Sequence, residues 1–327
     1  EYNSKYNLIG LCTPIDLLTN YRYLTLVDKL VNTNDGIYTD IEGIIKIALE
    51  NKVDAIFPGW GYLSENSEFA KAVTDNNMIF VGPSHQTLSG LGDKIQCLKI
   101  SEKVNMPILP WFEIDNISNV KALAQQIKYP VMIKASEGGG GRGIKPAYHE
   151  DEIERVYNNV KEEVSGPIFI CKLLENCRHV EVQLLGDGSD CTHLGMRDCS
   201  TQRRNQKLIE EGGEDLNIPT DVSDDMCKSA VKMGKELHLK GLATAEFLYT
   251  GDTVCFMEVN PRVQVEHVIT EMINFKSNIN INLPYILCQI CIENKSLKDI
   301  FGNDKPKVYG HTIGIRICAE NTYNNFI

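Results

Sequence analysis

The sequence predicts an α/β and α+β chain on three observations. Strand and helix signals alternate through the first eighty residues, strands bracket a run of four glycines on both sides, and a hairpin near residue 250 carries a glutamate on each arm. In the first part, 7–11 reads as extended, 40–51 as an amphipathic helix and 53–57 as a buried strand. A second helix reads over 65–76, and a strand over 79–81 ends at Gly82-Pro83. This βαβ rhythm implies a parallel, doubly wound sheet. The tip Pro58-Gly59-Trp60-Gly61 follows a strand's carboxyl end, where open α/β sheets bind ligands. After Trp111 the texture changes: a short helix over 120–127, strands over 130–135 and 143–147, a charged helix over 150–164 and a strand over 168–173 make a small α+β flap. A second mixed region has strands near 178–185, 243–248, 254–259 and 314–318, and a helical run over 283–292. The Asn/Ile-rich 274–282 reads as a loop.

With 327 residues, 43% of them hydrophobic, the chain has ample material for a core and the length of about two domains, or of one core with a subdomain. Lys and Arg number 33 against 44 Asp and Glu, and a net charge of −11 selects neither nucleic acid nor an anionic membrane as partner. No apolar run approaches the ~20 residues of a membrane span. The 11 cysteines, odd in number and scattered through strands and helices, argue for a reducing, cytoplasmic or organellar, setting over a disulfide framework. Cys288 and Cys291 have CxxC spacing inside a helical run with no second pair nearby, so core positions come before redox or metal roles. The start at Glu1 and the end at Ile327 both look cut from something longer, and no signal-peptide pattern opens the chain.

Four consecutive glycines in Glu137-Gly138-Gly139-Gly140-Gly141-Arg142-Gly143 suit a loop whose amides approach an anion closely. No Gly-Lys-Ser/Thr opens a helix after them, and strands flank them on both sides, so this is a hairpin lid, neither a Walker A loop nor a Rossmann turn. Alone it is also compatible with a plain flexible hairpin tip. Lys134, a charge inside the apolar strand Val131-Met132-Ile133, asks for a counter-anion such as phosphate. Glu246 and Glu258 flank the turn Thr250-Gly251-Asp252-Thr253, and an odd-length loop would set them face to face, a repulsive arrangement unless a divalent cation lies between. Asn260, two residues on, offers a third oxygen, and an all-oxygen set suits Mg²⁺ or Mn²⁺. The alternative is two solvent-facing glutamates on an edge hairpin. In extended chain Asn260, Arg262, Gln264 and Glu266 share one face with Val263 and Val265 behind, an arrangement for an anion clamp with a base beside it, or for an amphipathic edge strand. The segment from Arg197 to Lys207 is charge-dense and alone reads as a solvated face. Arg316 is a charge inside an apolar strand that needs a partner.

In order, these segments resemble biotin carboxylase, a member of the ATP-grasp superfamily, from about Val53 to Asn321. The motifs are Gly-Trp-Gly-Tyr-Leu-Ser-Glu-Asn at 59–66, Gly-Asp-Lys at 92–94, Lys-Ala-Ser-Glu-Gly-Gly-Gly-Gly-Arg-Gly at 134–143, Arg-His-Val-Glu at 178–181, Arg-Asp-Cys-Ser-Thr-Gln-Arg-Arg at 197–204 and Glu-Val-Asn-Pro-Arg-Val-Gln-Val-Glu-His at 258–267. The resemblance implies an ATP-grasp fold with an N-terminal parallel βαβ (pre-ATP-grasp) domain over 1–83, its first strand missing. An ATP-grasp domain over 84–327 would come next, with a glycine-rich lid subdomain at about 107–174 and its C-terminal part truncated. It implies that Lys94, Lys134, Gly140 and Gly141 contact ATP phosphates, that Lys172, Leu173 and Leu174 lie against the adenine, and that His179, Gln202 and Asn205 line the nucleotide pocket. Glu246, Glu258 and Asn260 would hold Mg²⁺ or Mn²⁺. Arg262, Gln264 and the Val265 amide would bind bicarbonate, with Glu266 as the base that deprotonates it for attack on the γ-phosphate. Lys207 is similar to the family's active-site lysine and Arg316 to the arginine that stabilises the biotin enolate. The implied partners are a biotin carrier domain and a carboxyltransferase domain, since no Ala/Val-Met-Lys-Met motif is present for attaching biotin. Met106-Pro107-Ile108-Leu109-Pro110-Trp111 and Ala319-Glu320-Asn321 resemble the eukaryotic type of acetyl-CoA carboxylase, an enzyme of fatty acid synthesis. Asn205 departs from the family's usual His.

Overall fold

The computed structural model describes residues 5–19, 22, 25–136, 143–164, 166–203, 206–275, 281–303, 306–317 and 323. Gly140, Gly141, Asn205 and the segment 319–321 therefore lie outside the described residues. In the N-terminal part, β1 (Ile9–Cys12) pairs in parallel with β2 (Lys29–Asn32), and β3 (Ala55–Ile56) with β4 (Ile79–Phe80). Asp40 accepts from Gly43 N to start the helix Ile41–Glu50, and Asn66 accepts from Phe69 N to start Ser67–Asp75. Their apolar stripes, Ile44, Ile45 and Ala48 on one and Phe69, Ala70 and Val73 on the other, close a small core with Phe80.

The doubly wound sheet expected here is instead two separate parallel pairs, and the 53–57 strand shortens to two half-buried residues. Its ends are claimed by other geometry. Val53 N donates to Ala48 O to close the preceding helix after the left-handed Lys52 (φ 54), and Phe57, 43% exposed, precedes Pro58.

The helices His85–Gly92 and Lys94–Lys103 meet at Asp93, which caps the second by accepting from Ile95 N and Gln96 N. The flap comes next: β5 (Trp111–Ile114), helix Ile117–Ile127, β6 (Val131–Ala135), β7 (Ile144–Ala147), helix Ile153–Glu163 and β8 (Ile168–Lys172). Its antiparallel sheet runs β5-β8-β6-β7, and Val120, Ala124, Val156 and Val160 of the helices cover Val131, Ile133 and Ile170. β5 had no clear signal in the sequence.

The second mixed region is larger than the sequence suggested. It comprises β9 (Arg178–Asp187), β10 (Cys191–Arg203), β11 (Gln206–Gly213), β12 (Lys240–Tyr249), β13 (Val254–Asn260), the short antiparallel pair β14 (Asn274–Phe275) and β15 (Val308–Tyr309), and β16 (His311–Ile315). Six of these form one antiparallel sheet in the order β13-β12-β9-β10-β11-β16. The 17-residue helix Thr220–Glu236, unanticipated from sequence, packs Met226, Ala230 and Met233 on one face. The helix Leu283–Cys291, with Pro284 in its first turn, covers Leu185 and Leu242. Cys291 is buried in that core and Cys288 packs against it, and none of the ten described cysteines is in a disulfide.

Three expectations need correction. The solvated face expected over Arg197 to Lys207 holds only in part: Ser200, Thr201, Gln202, Arg203 and Gln206 are exposed, but Arg197 and Cys199 on β10 are fully buried. The segment after Asn260 is no strand, because it turns at once into the helix His267–Met272, with Val263 buried and Val265 exposed. The loop expected over 274–282 opens with β14. The turn after Asn260 sets the position of Glu266. Gly212 of β11 and Gly314 of β16 let the short helix lie directly on the sheet: a Cβ there would stand 2.7 and 2.4 Å from Ile269 side-chain atoms. That contact brings Glu266, the residue before the helix, over the ends of β11 and β16.

Candidate active site

Glu258, Glu246, Glu181 and Arg197 stand directly opposite one another on β13, β12, β9 and β10. Three glutamates in a row across adjacent strands repel unless cations stand among them. Near the turn, Tyr249 opposes Val254 and Phe247 opposes Phe256, a register that by itself would put Met257 opposite Glu246. A bulge inserts Met257 and shifts the pairing so that Glu246 meets Glu258. The expected pair is thus present, but a bulge and not an odd-length turn produces it.

Lys207 of β11 lies at the centre. Its Nζ donates to Glu181 Oε1, to Glu266 Oε1 at 2.7 Å and to Glu246 Oε1 at 3.1 Å. Burial opposes its charge, but the carboxylates of Glu181, Glu246 and Glu266 outweigh burial and raise its pKa. Arg197 donates from Nη2 to Glu181 Oε2 at 2.9 Å and to Gln264 Oε1 at 3.1 Å, and from Nη1 to Gln183 Oε1 and Thr270 Oγ1, each at 2.7 Å. Arg316, just past β16, donates to Glu210 and to Glu266 Oε2 at 2.8 Å. Burial pushes the Glu266 pKa up, yet Lys207 and Arg197 more than offset this and hold it below the usual carboxylate value.

His179 Nε2 stands 2.8 Å from Glu246 Oε2, and Gln202 Nε2 stands 2.8 Å from its Nδ1. With that amide donating to Nδ1, the ring proton of the neutral form sits on Nε2 and faces Glu246. Burial lowers the His179 pKa, but the Glu246 carboxylate raises it further. Asn260 Nδ2 donates to Glu246 Oε1 at 2.9 Å, and Gln264 Nε2 to the same oxygen at 3.3 Å. Glu246 is buried, which disfavours its charge, but His179 and Lys207 lower its pKa well below normal. Glu258 behaves oppositely: burial and the Glu246 charge raise its pKa against the pull of Lys94 and Lys134.

On the flap side, burial and the neighbouring Lys134 lower the Lys94 pKa, with Glu258 acting against them. Lys134 lies midway along β6 and forms no ion pair among the described residues. Arg262 makes no ion pair with the carboxylate cluster among the described residues; its Nε lies 3.1 Å from Glu65 Oε2. Lys172 Nζ donates to the carbonyls of Lys128 and Tyr129 at 2.9 and 3.0 Å, and Leu173 N to Pro130 O at 3.1 Å, so this segment ties down its own flap, with Leu174 beyond it. For a cation, the ligand atoms of His179, Glu181 and Glu246 lie within 4.8 Å of one another, as do those of Glu181, Cys199 and Glu266.

Sequence reasoning missed Glu181, Arg197, Gln183 and Glu210 as site residues. A signal for two of them was there. Glu181 and Gln183 fall on alternate positions of an apolar strand with Val180, Val182 and Leu184, and Thr244 and Glu246 repeat the pattern on β12.

A flap sheet and a six-stranded sheet, with lysines and glutamates between them, define an ATP-grasp protein. The model for the ATP-binding domain of the carbamoyl-phosphate synthase L chain matches residues 93–277, and that for the biotin carboxylase N-terminal domain matches 9–88. The chain belongs to the biotin carboxylase family. The biotin carboxylase domain of Hydrogenobacter thermophilus 2-oxoglutarate carboxylase, solved with MgADP, ADP and bicarbonate, superposes with a TM-score of 0.85 at 32% identity, covering 97% of this chain and 70% of that one. Pyruvate carboxylase of Bacillus subtilis is 38% identical over 302 residues, and acetyl-CoA carboxylase 1 of Arabidopsis thaliana is 38% identical over 308. Those alignments cover 89% and 85% of this chain but 26% and 13% of the two relatives, so the chain spans a small part of their length. The chain is thus a biotin carboxylase-type domain of the kind found in biotin-dependent carboxylases. No helix among the described residues is long and apolar enough to cross a membrane.

Proposed function

We propose that this domain carries out the biotin carboxylase half-reaction, in which ATP activates bicarbonate as carboxyphosphate and a biotin on a carrier outside this chain is carboxylated. The observation that carries the reading is Glu266, a deprotonated carboxylate fixed by Lys207 on one oxygen and Arg316 on the other. A base held in this way faces the region where Gln264 and the Val265 amide would receive bicarbonate, with Arg262 as the anion clamp. Bicarbonate loses its proton to Glu266 and attacks the γ-phosphate, ADP leaves, and Arg316 and Lys207 carry the compensating positive charge.

Lys94 and Lys134 hold phosphate oxygens in this reading, which gives Lys134 the anion it does not meet among the described residues and favours the charge of Lys94 against its burial. Glu246 and Glu258, helped by Asn260, fit a divalent cation, because a facing pair, one buried and one half-buried, with one pKa pushed up is relieved by a cation between them. Bound there, Mg²⁺ or Mn²⁺ would neutralise phosphate charge. The segment Lys172 to Leu174, His179 and Gln202 bound the nucleotide pocket. Gly140, Gly141 and Asn205 belong to it by resemblance.

The finer assignment is to an acetyl-CoA carboxylase of eukaryotic type, with a carrier and a carboxyltransferase domain as partners. It rests on the segment from Met106 to Trp111. ATP hydrolysis by the purified protein tests the half-reaction: bicarbonate is expected to stimulate it and free biotin to stimulate it further. Hydrolysis that responds to bicarbonate but not to biotin would point instead to another ATP-grasp ligase.

A further inference from the structure

Arg262 is held by the other half of the molecule. Glu65 belongs to the N-terminal βαβ region, in the turn that carries the left-handed Gly61 (φ 75) and Tyr62 (φ 43). Ser64 N donates to Gly61 O at 3.0 Å and Asn66 N to Leu63 O at 3.1 Å, and Asn66 then caps the helix Ser67–Asp75. Glu65 is therefore presented from a backbone fixed on both sides. Its Oε2 stands 3.1 Å from Arg262 Nε, while Arg262 Nη1 donates to the Val263 carbonyl at 3.3 Å. Beside the pair, a small cavity is lined by Pro58, Gly59, Ser64, Pro261, Arg262 and Val263. The Ser64 hydroxyl there, in a residue 2% exposed, has no hydrogen-bond partner among the described residues.

We infer that Glu65 is a positioning residue for Arg262: its carboxylate pairs with the guanidinium and, with the Val263 carbonyl, limits its orientation so that Nη2 can receive the substrate anion. This rests on the reading of Arg262 as the bicarbonate clamp. A guanidinium has five donors in one plane. Ion-paired with Glu65 on its Nε side and tied through Nη1 to the Val263 carbonyl, the guanidinium has fewer orientations open to it, and Nη2 keeps its donors for a ligand. A long side chain ordered in advance loses less freedom when the anion binds. Glu65 thereby links the N-terminal region to bicarbonate affinity without touching the reacting atoms.

The test is bicarbonate-dependent ATP hydrolysis by the purified protein and by Glu65→Gln, Glu65→Asp, Arg262→Ala and the Glu65→Gln/Arg262→Ala double variant. Glu65→Gln is expected to raise the KM for bicarbonate roughly 3–5-fold, the range of a partly exposed ion pair, with kcat and the KM for ATP unchanged. Glu65→Asp, which keeps the charge, should recover most of that loss. The double variant should match Arg262→Ala alone, because Glu65 acts only through Arg262. An unchanged bicarbonate KM in Glu65→Gln, a loss confined to kcat, or additive losses in the double variant would each overturn the positioning role while the clamp stands. Arg262→Ala with an unaltered bicarbonate KM would overturn the clamp itself, and the positioning role with it.

Discussion

Lys207 and Lys94 lie on two sides of the Glu246–Glu258 pair, both sheltered from solvent, and their surroundings act on them in opposite directions. Lys207 is met by three carboxylates and its pKa rises, whereas Lys94, beside another lysine, has its pKa lowered by burial. The β9–β12 side of the cleft is electrostatically complete as it folds, with Glu181, Glu246 and Glu266 answered by Lys207, Arg197, His179 and Arg316. On the flap side the balance differs: burial and Lys134 disfavour the charge of Lys94, and the Glu258 carboxyl has its pKa pushed up. Under the proposed function, the preassembled half would orient and deprotonate the bicarbonate. Under the same proposal, the other half would receive phosphate on the lysines and a metal ion on the glutamates when Mg-ATP binds.

If this contrast holds, the two halves should respond oppositely to neutralisation. The largest effect is expected for Glu181→Gln, which leaves Arg197 and Lys207 buried without their common counter-charge. Removing one partner of a buried pair typically costs ~3–5 kcal/mol, so urea unfolding should show a loss in that range. A loss below about 1 kcal/mol would show that Arg197 does not depend on Glu181.

Glu258→Gln should do the reverse in the absence of ligand. Because the folded pKa of Glu258 lies above its ordinary 4.5, the stability linked to its proton is present below that value and is lost as pH rises through the folded pKa. The neutral-pH protein therefore carries a cost that the glutamine removes, and its melting temperature without Mg²⁺ should hold or rise while Mg-ATP turnover falls. Glu246 has the opposite sign. Its folded pKa is depressed, so its stabilisation is present above pH 4.5 and disappears as pH falls. A fall in apo stability for Glu258→Gln with turnover intact would make the pair structural. The smallest effect is expected for Lys94→Met, which removes a half-buried charge that burial and Lys134 disfavour. Apo stability should change by less than about 1 kcal/mol while ATP binding weakens, and calorimetric titration with unchanged nucleotide affinity would remove Lys94 from the phosphate site.

The parts of the molecule legible in the sequence are those set by local chemistry. Asp40 and Asn66 announce their helices as caps, the strands around the glycine run are short and apolar, and Lys134 is visible as a charge in an apolar strand, whereas Arg316 lies just past its strand. What stayed hidden depends on which strands become neighbours. Glu181 gains its meaning only when β9 lies between β12 and β10, and the burial of Arg197 only when the Thr270 helix closes over it. The Glu246–Glu258 pairing needs a bulge that no residue in the hairpin announces. Arg262, Gln264 and Glu266 were grouped by strand alternation, yet a turn separates them, and it sends Arg262 to Glu65 and Glu266 to Lys207.

Glu266→Gln tests the assignment of the base most directly. The carboxylate is already deprotonated at neutral pH, but Lys207 and Arg197 also lower its basicity, so general-base assistance should lie near the bottom of the usual ~10²–10⁴-fold range. Measured as bicarbonate-dependent ATP turnover, the variant is expected to lose about 10²-fold in kcat with the KM for ATP nearly unchanged. Turnover close to that of the unaltered protein would contradict the assignment and place the base elsewhere in the cluster.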